Sequence, residues 1–119
     1  MPIQPGDRIP EVTLKRIREG VETVDTRTLF DGKNVVLFAV PGAFTPTCSE
    51  RHLPGFVEGY ADFHARGIDV YCVAVNDPFV MKAWGDSQHV PQGLEMLADG
   101  NGDFTRALGL EMDASGYGM

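Results

Sequence analysis

Apolar and polar positions follow two different periods along this chain, and each period predicts a different kind of element. Val35–Val40 is a run of six apolar residues, too short for an independent helix and rich in valine. It therefore predicts a central strand that is buried on both faces. Ile68–Val75 is a second, largely apolar run and predicts a parallel neighbour of the first. Between the two runs, apolar residues recur at helical spacing, at Leu53, Phe56, Val57, Tyr60 and Phe63.

Weaker patterns complete an alternation of strands and helices. Glu11–Lys15 and Val21–Val24 flank a glycine turn and predict an N-terminal β-hairpin. The order of the elements predicts a single α/β domain over residues 1–119, built as a sandwich around a partly parallel sheet. The other expected elements are a short helix at Thr26–Phe30, a helix opened by Asn76-Asp77-Pro78, a strand at Leu94–Ala98 and a short helix capped by Asp103 and running to Leu110.

The segment that follows the first apolar run predicts a helix start with a cysteine in its first turn. Thr45-Pro46 fits an N-cap followed by proline, and Thr47 to Glu50 fits a capping box, so either threonine can begin the helix. Both alternatives put Cys48 where unpaired N–H groups and the helix dipole favour a thiolate. Pro54 falls inside the expected helix and predicts a kink there.

Composition narrows the functional classes. The chain has 119 residues with 43% apolar and 23% charged content, which fits one globular domain. Ten Lys and Arg face seventeen Asp and Glu, giving a net charge of −7 without a basic cluster. Nucleic acid and membranes are therefore not expected partners. The N-terminal residues lack the pattern of a secretory signal, so we expect a soluble, cytoplasmic protein.

The two cysteines indicate thiol chemistry rather than a scaffold. Cys48 and Cys72 match neither a zinc-binding pattern nor the cysteine density of a disulfide-rich domain. Cys72 lies inside an expected strand, where the role of a small buried hydrophobe is favoured over that of a resolving cysteine. His52 is expected as a partly buried helix residue rather than a base. No metal site is predicted, because the acidic run from Asp99 to Asp103 lacks the spacing of a calcium loop.

The sequence Pro41 to Ser49, PGAFTPTCS, resembles the peroxiredoxin signature P-x-x-x-T/S-x-x-C in the form found in the atypical peroxiredoxin 5 or type II group. The resemblance implies a thioredoxin-like fold and the reduction of hydrogen peroxide and organic hydroperoxides by a cysteine that becomes sulfenic acid. Glutaredoxin with glutathione, or thioredoxin, would restore the thiol, and no metal or organic cofactor would be needed. Other segments that resemble this group are His52 to Phe56, Val73 to Asp77, Ala83 to Gly85 and Leu97 to Asp99.

The same resemblance implies roles for particular residues. Cys48 matches the peroxidatic cysteine, Thr45 the residue whose hydroxyl bonds peroxide and thiolate, and Pro41 the residue that shields the sulfur. Three aromatic residues have two alternative roles, as core residues or as residues that ring the site and line a homodimer contact. The implied substrate-pocket residues are Gly42, Phe44 and Thr47, and the aromatic residues with the two alternatives are Phe44, Phe79 and Trp84.

One departure from the family pattern leaves two other functions open. The family's arginine would fall just past Met119, so we expect a domain that lacks its C-terminal strands and helix. Such a chain could be an impaired peroxiredoxin that acts as a redox sensor or interaction module. It could also be a thiol–disulfide oxidoreductase using Cys48 and Cys72. The second alternative is disfavoured because residue 51 is arginine, which removes the usual C-x-x-C motif.

Overall fold

The N-terminal hairpin forms as its alternating pattern predicts, although its first strand begins later. The computed structural model describes residues 2–118, apart from the side chains of Cys48 and Glu50. β1 (Thr13–Ile17) pairs antiparallel with β2 (Val21–Asp25). The first strand starts after Val12 because both backbone groups of that residue form hydrogen bonds with Thr26. Its carbonyl accepts the Thr26 N–H at 2.9 Å, and its own N–H reaches the Thr26 hydroxyl at 3.2 Å.

With three further strands, the described residues form a five-stranded mixed sheet. The three strands are β3 (Asn34–Ala39), β4 (Ile68–Ala74) and β5 (Glu95–Ala98). The order across the sheet is β2-β1-β5-β4-β3. β4 runs parallel to β3 and to β5, whereas β1 is antiparallel to β5. The expected partly parallel sheet is therefore confirmed.

Within the described residues, Val35–Val40 does not form the central strand that its apolar run predicts. β3 lies at one edge of the described sheet and Ala39 is exposed, while β4 occupies the position between two parallel neighbours. An apolar run reports whether helices cover the two faces of a strand, not how many strands pair with it. The faces of β3 are covered, since Phe38 packs in one apolar cluster and Leu37 packs against the other.

Side chains alternate along β4 between two cores, one on each face of the sheet. Val70 and Cys72 face the first cluster, whereas Tyr71 and Val73 face the second. The first cluster comprises Phe38, Val40, Leu53, Val70, Cys72, Ala74, Met81, Trp84, Leu94 and Ala98. The second comprises Leu14, Leu29, Tyr71, Val73, Leu97 and Phe104.

In the part of the chain that the structure describes, four α-helices pack against the sheet: α1 (Thr26–Phe30), α2 (Leu53–Ala65), α3 (Pro78–Ser87) and α4 (Asp103–Ala107). A 3-10 turn, Ser115–Tyr117, follows them. α3 begins as predicted, with Asp77 as its N-cap accepting the Val80 N–H at 2.8 Å. No helix among residues 2–118 is both long enough and apolar enough to cross a bilayer.

The irregularity expected at Pro54 takes the form of a π-helical turn, Cys48–His52, immediately before α2. A proline cannot donate the α-helical hydrogen bond and crowds the preceding turn. The wider π-helical turn accommodates both effects, and Pro54 becomes a residue of the first turn of α2. Such turns occur frequently at functional sites.

The prediction that Asp103 caps α4 is also wrong. Gly102 holds the N-cap position with a φ of 77°, which a residue without a β-carbon adopts easily. The carboxylate of Asp99, which is 3% exposed, accepts the N–H groups of Phe104 and Thr105 at 3.1 and 2.9 Å. The helix ends at Ala107 rather than Leu110, because the left-handed backbone of the next glycine stops it.

Candidate active site

The cysteine segment begins where β3 leaves the sheet. The Val40 N–H donates to the Val73 carbonyl at 3.1 Å, which keeps the chain on β4 until the turn begins. Residues 46 and 47 are helical, and the N–H of Ser49 donates to the Thr45 carbonyl at 3.0 Å. The helix therefore begins directly after Thr45, as the first of the two expected starts requires. Cys48 is the third residue of this helical segment and the first of the π-helical turn.

The hydroxyl of Thr45 has a defined partner. Its Oγ1 donates to the carbonyl of Gly42 at 2.7 Å, which closes the loop over three residues. A threonine hydroxyl has one donor and two acceptor lone pairs. With its proton held by Gly42, the group presents acceptor lone pairs to any ligand near it. It can donate to a ligand only after it gives up the Gly42 bond.

The loop is held from outside by Asn76, which sequence analysis assigned only to a helix cap. Its side-chain oxygen accepts the N–H of Ala43 at 2.9 Å and thereby links the end of β4 to the cysteine loop. The next residue, Phe44, has a φ of 65°. That left-handed conformation is uncommon for a bulky side chain and is typical of residues held in place at functional sites.

The structure separates the three aromatic residues for which two roles were expected. Phe44 and Phe79 are exposed, by 54% and 66%. Trp84 is 0% exposed and belongs to the core, which agrees with the first of its two alternative roles. Its indole faces the interior because the Nε1 proton finds an acceptor there, the hydroxyl of Ser49 at 3.0 Å.

The pocket residues expected around the cysteine differ in exposure. Pro41 and Thr47 are exposed at the surface of the loop, whereas Gly42 is buried. Cys72 is 0% exposed and lies in the same core cluster as Phe38, which confirms the prediction that it is buried.

A cavity of about 590 Å³ lies beside Pro41 and Val75 and extends to Arg106. The guanidinium of Arg106 is engaged by two carboxylates, Asp103 at 3.1 Å and Glu111 at 3.3 Å, and these bonds raise its pKa. The guanidinium of Arg106 is therefore already paired with carboxylates of this chain. Among the residues that the structure describes, no group of three or more His, Cys, Asp or Glu is placed to hold a metal ion.

Comparisons with known proteins agree with this geometry. The Redoxin family model matches residues 4–118. Peroxiredoxin-2B of Arabidopsis thaliana is 45% identical over 121 residues, covering 99% of this chain and 75% of that protein. Reduced Prx3 of Vibrio vulnificus in complex with hydrogen peroxide superposes with a TM-score of 0.92 at 52% identity, covering 98% of this chain and 74% of that one. Peroxiredoxin 5 of Alvinella pompejana superposes with a TM-score of 0.86 at 40% identity, covering 97% and 74%.

A mixed five-stranded sheet with a cysteine at the start of a helix beside its parallel strands defines the class of thioredoxin-like thiol proteins. Within that class, the chain belongs to the peroxiredoxins, which are thiol-dependent peroxidases. The resemblance of the cysteine segment to the peroxiredoxin 5 or type II group is confirmed.

Proposed function

We propose that Cys48 is the peroxidatic nucleophile of this peroxidase. The observation that carries the proposal is its position as the third residue of a helix that begins directly after Thr45. A cysteine at such a site is reactive because free N–H groups and the helix dipole favour the thiolate. Thr45 contacts the substrate oxygens, and Pro41 shields the sulfur at the surface of the loop. Gly42, Phe44 and Thr47 form the pocket around them.

The chemical step follows from these roles. The Cys48 thiolate attacks the outer oxygen of a hydroperoxide and breaks the O–O bond, giving cysteine sulfenic acid and an alkoxide or hydroxide. The departing oxygen takes a proton and leaves as alcohol or water. Two equivalents of thiol then reduce the sulfenic acid, releasing water and a disulfide. N–H donors at the start of the helix stabilise the charge that moves from sulfur to oxygen.

The second part of the proposal concerns the reductant, the cellular compartment and the oligomeric state. Cys72 is buried, so an external thiol donor, glutaredoxin with glutathione or thioredoxin, regenerates Cys48. The protein acts as a single-domain cytoplasmic enzyme that forms a homodimer. The exposed side chains of Phe44 and Phe79 support an apolar contact between two copies near the cysteine loop.

Stopped-flow oxidation by hydrogen peroxide, followed by thiol titration, tests the assignment of Cys48. We expect the parent chain to lose one thiol faster than free cysteine does. Cys48→Ser should abolish that phase, and Cys72→Ser, its matched control, should leave it largely unchanged. Equal loss in both variants would contradict a one-cysteine mechanism. Loss no faster than free cysteine in the parent chain would instead favour a redox-sensing or interaction role.

A further inference from the structure

The outer half of the N-terminal hairpin lies beyond the backbone pairing between β1 and β5. In the described strands, that pairing consists of Lys15 with Ala98. The same antiparallel register would next place Ile17 opposite Met96, but the ladder does not extend to these two residues. Residues 16–22, the hairpin end, therefore lie outside the ladder that joins β1 to the rest of the sheet.

Ion pairs join the hairpin end to β5 where the backbone pairing stops. In the register set by Lys15 and Ala98, Arg18 falls opposite Glu95. The Arg18 guanidinium bonds one oxygen of the Glu95 carboxylate, and Arg16 reaches the other oxygen at 3.4 Å. The Glu95 side chain is only 18% exposed, so these pairs are less screened by water than pairs at the open surface. One carboxylate of β5 thus holds two arginines of the hairpin end.

The hairpin end has contacts of its own that do not involve β5. β1 and β2 stay paired up to Ile17 and Val21, next to the turn. Arg16 also bonds Glu22 of β2 at 2.9 Å. Because both partners of each contact belong to the hairpin, these contacts persist when the hairpin end moves relative to β5. The hairpin end can therefore move as a unit, with the end of the β1–β5 ladder as its hinge.

A cleft of about 890 Å³ lies beside the hairpin end. Its other walls are α3, the loop that follows α3 and the start of β5, and its lining includes Ile17 and Met96. The cleft is separate from the cysteine loop. β5 begins at Glu95, whereas the cysteine loop follows the carboxyl end of β3, and both strands run parallel to β4. The cleft and the cysteine loop therefore lie at opposite ends of the parallel strands.

From these contacts we infer that the hairpin end is a flap at the mouth of this cleft, latched by Glu95 to Arg16 and Arg18. The structure shows the closed form, in which both arginines bond the carboxylate. Opening breaks these two ion pairs, leaves the β1–β5 ladder in place and gives solvent access to Ile17 and Met96. Salt screens the attraction between the charges, so the open form should become more populated as ionic strength rises.

Relaxation-dispersion NMR of backbone amides measures the open population, because such motions fall in the microsecond-to-millisecond range. Glu95→Gln removes the charge that holds both arginines and should raise the open population of the hairpin end at least about threefold. Arg16 keeps its bond to Glu22 in this variant, so its charge is not left without a partner. Glu22→Gln is the matched control. It makes the same change to the other carboxylate bonded to Arg16, but within the hairpin, and should leave the open population unchanged.

Arg18→Gln supplies a second test of the latch. Arg18 is 54% exposed, so its substitution leaves the core intact, and it should also raise the open population. Sodium chloride should raise that population in the parent chain and have a much smaller effect in Glu95→Gln. A Glu95→Gln variant that behaves like the parent would overturn the inference, as would equal effects of Glu95→Gln and Glu22→Gln. Exchange that extends equally to Leu14, the buried residue of β1, would also overturn it, because the whole hairpin would then be unfolding.

Discussion

The indole nitrogen of Trp84 donates to the hydroxyl of Ser49 at 3.0 Å, joining α3 to the π-helical turn that begins at Cys48. Trp84 is fully buried, so this bond forms in surroundings where an unpaired indole N–H would be costly. The residue beside the cysteine is therefore fixed by a helix that is distant in sequence.

This relationship predicts energetic coupling between the two residues. A double-mutant cycle of Trp84→Phe and Ser49→Ala should give a coupling free energy of about 1 kcal/mol, measured by urea unfolding. Ser49→Ala leaves the buried indole N–H without its acceptor. It should therefore destabilise the chain more than Ser87→Ala, a matched control in which only a bond to the Trp84 carbonyl at the end of α3 is lost. Additive effects in the cycle would contradict the coupling.

Asn76 should control the cysteine loop more than the stability of the fold. Asn76→Leu removes the acceptor for the Ala43 N–H, and we expect peroxide oxidation of Cys48 to slow by about tenfold, as is typical when a positioning contact is lost. The free energy of unfolding should fall by only about 1 kcal/mol.

Asn76→Asp retains an acceptor and is the matched variant. Hydrogen exchange should show the Ala43 amide protected in Asn76→Asp and exposed in Asn76→Leu. The loop-anchoring role would be refuted by an Asn76→Leu variant that reacts with peroxide at the parental rate.

The left-handed backbone of Phe44 predicts a difference between two substitutions that remove the same ring. Phe44→Ala keeps the unfavourable φ of 65°, whereas Phe44→Gly relieves it. The glycine variant should be more stable than the alanine variant by about 1 kcal/mol, measured by urea unfolding. If the alanine variant is the more stable one, the loop does not hold this residue in the left-handed region.

The buried carboxylate of Asp99 should contribute strongly to stability. It accepts the Phe104 and Thr105 N–H groups and the Thr105 hydroxyl, the last at 2.8 Å. Asp99→Ala should therefore cost about 2 to 3 kcal/mol in thermal or urea unfolding, because charged hydrogen bonds and a helix cap are lost together. Asp103→Ala, at an exposed position in the same helix, is the control and should cost less than about 0.5 kcal/mol.

Asp25 should make α1 sensitive to acid. The backbone N–H of Thr28 and then its side chain bond the Asp25 carboxylate and lower its pKa. Because the folded-state pKa lies below the unfolded value, Asp25 stabilises the fold at neutral pH. That contribution is lost as the pH falls below about 4 and through the lower folded-state pKa. Melting temperatures of the parent and Asp25→Asn should therefore differ at pH 7 and converge in acid. A constant difference across this range would exclude the linkage.

Local sequence signals were sufficient for most elements of the fold. Helix starts at Thr45 and Asp77 follow from a capping residue placed directly before a proline, and both were expected. The two parallel strands follow from apolar runs separated by a helical pattern. These features depend on neighbouring residues alone, so one sequence is enough to find them.

The features that could not be predicted from the sequence depend on contacts between residues that are far apart in the chain. The position of β3 at the edge of the described sheet reflects the order of the strands, which the apolar period does not encode. Asp99 accepts the first N–H groups of α4 from the preceding turn, whereas local sequence pointed to Asp103, which is the first residue of the helix itself. Nothing in the sequence indicated that Ser49 accepts a hydrogen bond from the core, since its partner Trp84 is 35 residues away. In the candidate site, the cysteine motif could be recognised from the sequence, whereas the hydrogen bonds that link Asn76 and Trp84 to its segment could not.

The π-helical turn at Cys48–His52 constrains how the chain can change in length. Each residue of an α-helix advances the helix by about 100°. Deleting one residue from this turn would restore regular α-helical winding and rotate Thr45 by that angle relative to the buried face of α2, which includes Leu53. The orientation of the loop before the turn and the orientation of the apolar face of α2 are thus coupled. Substitutions within the turn are far more tolerable than any insertion or deletion there.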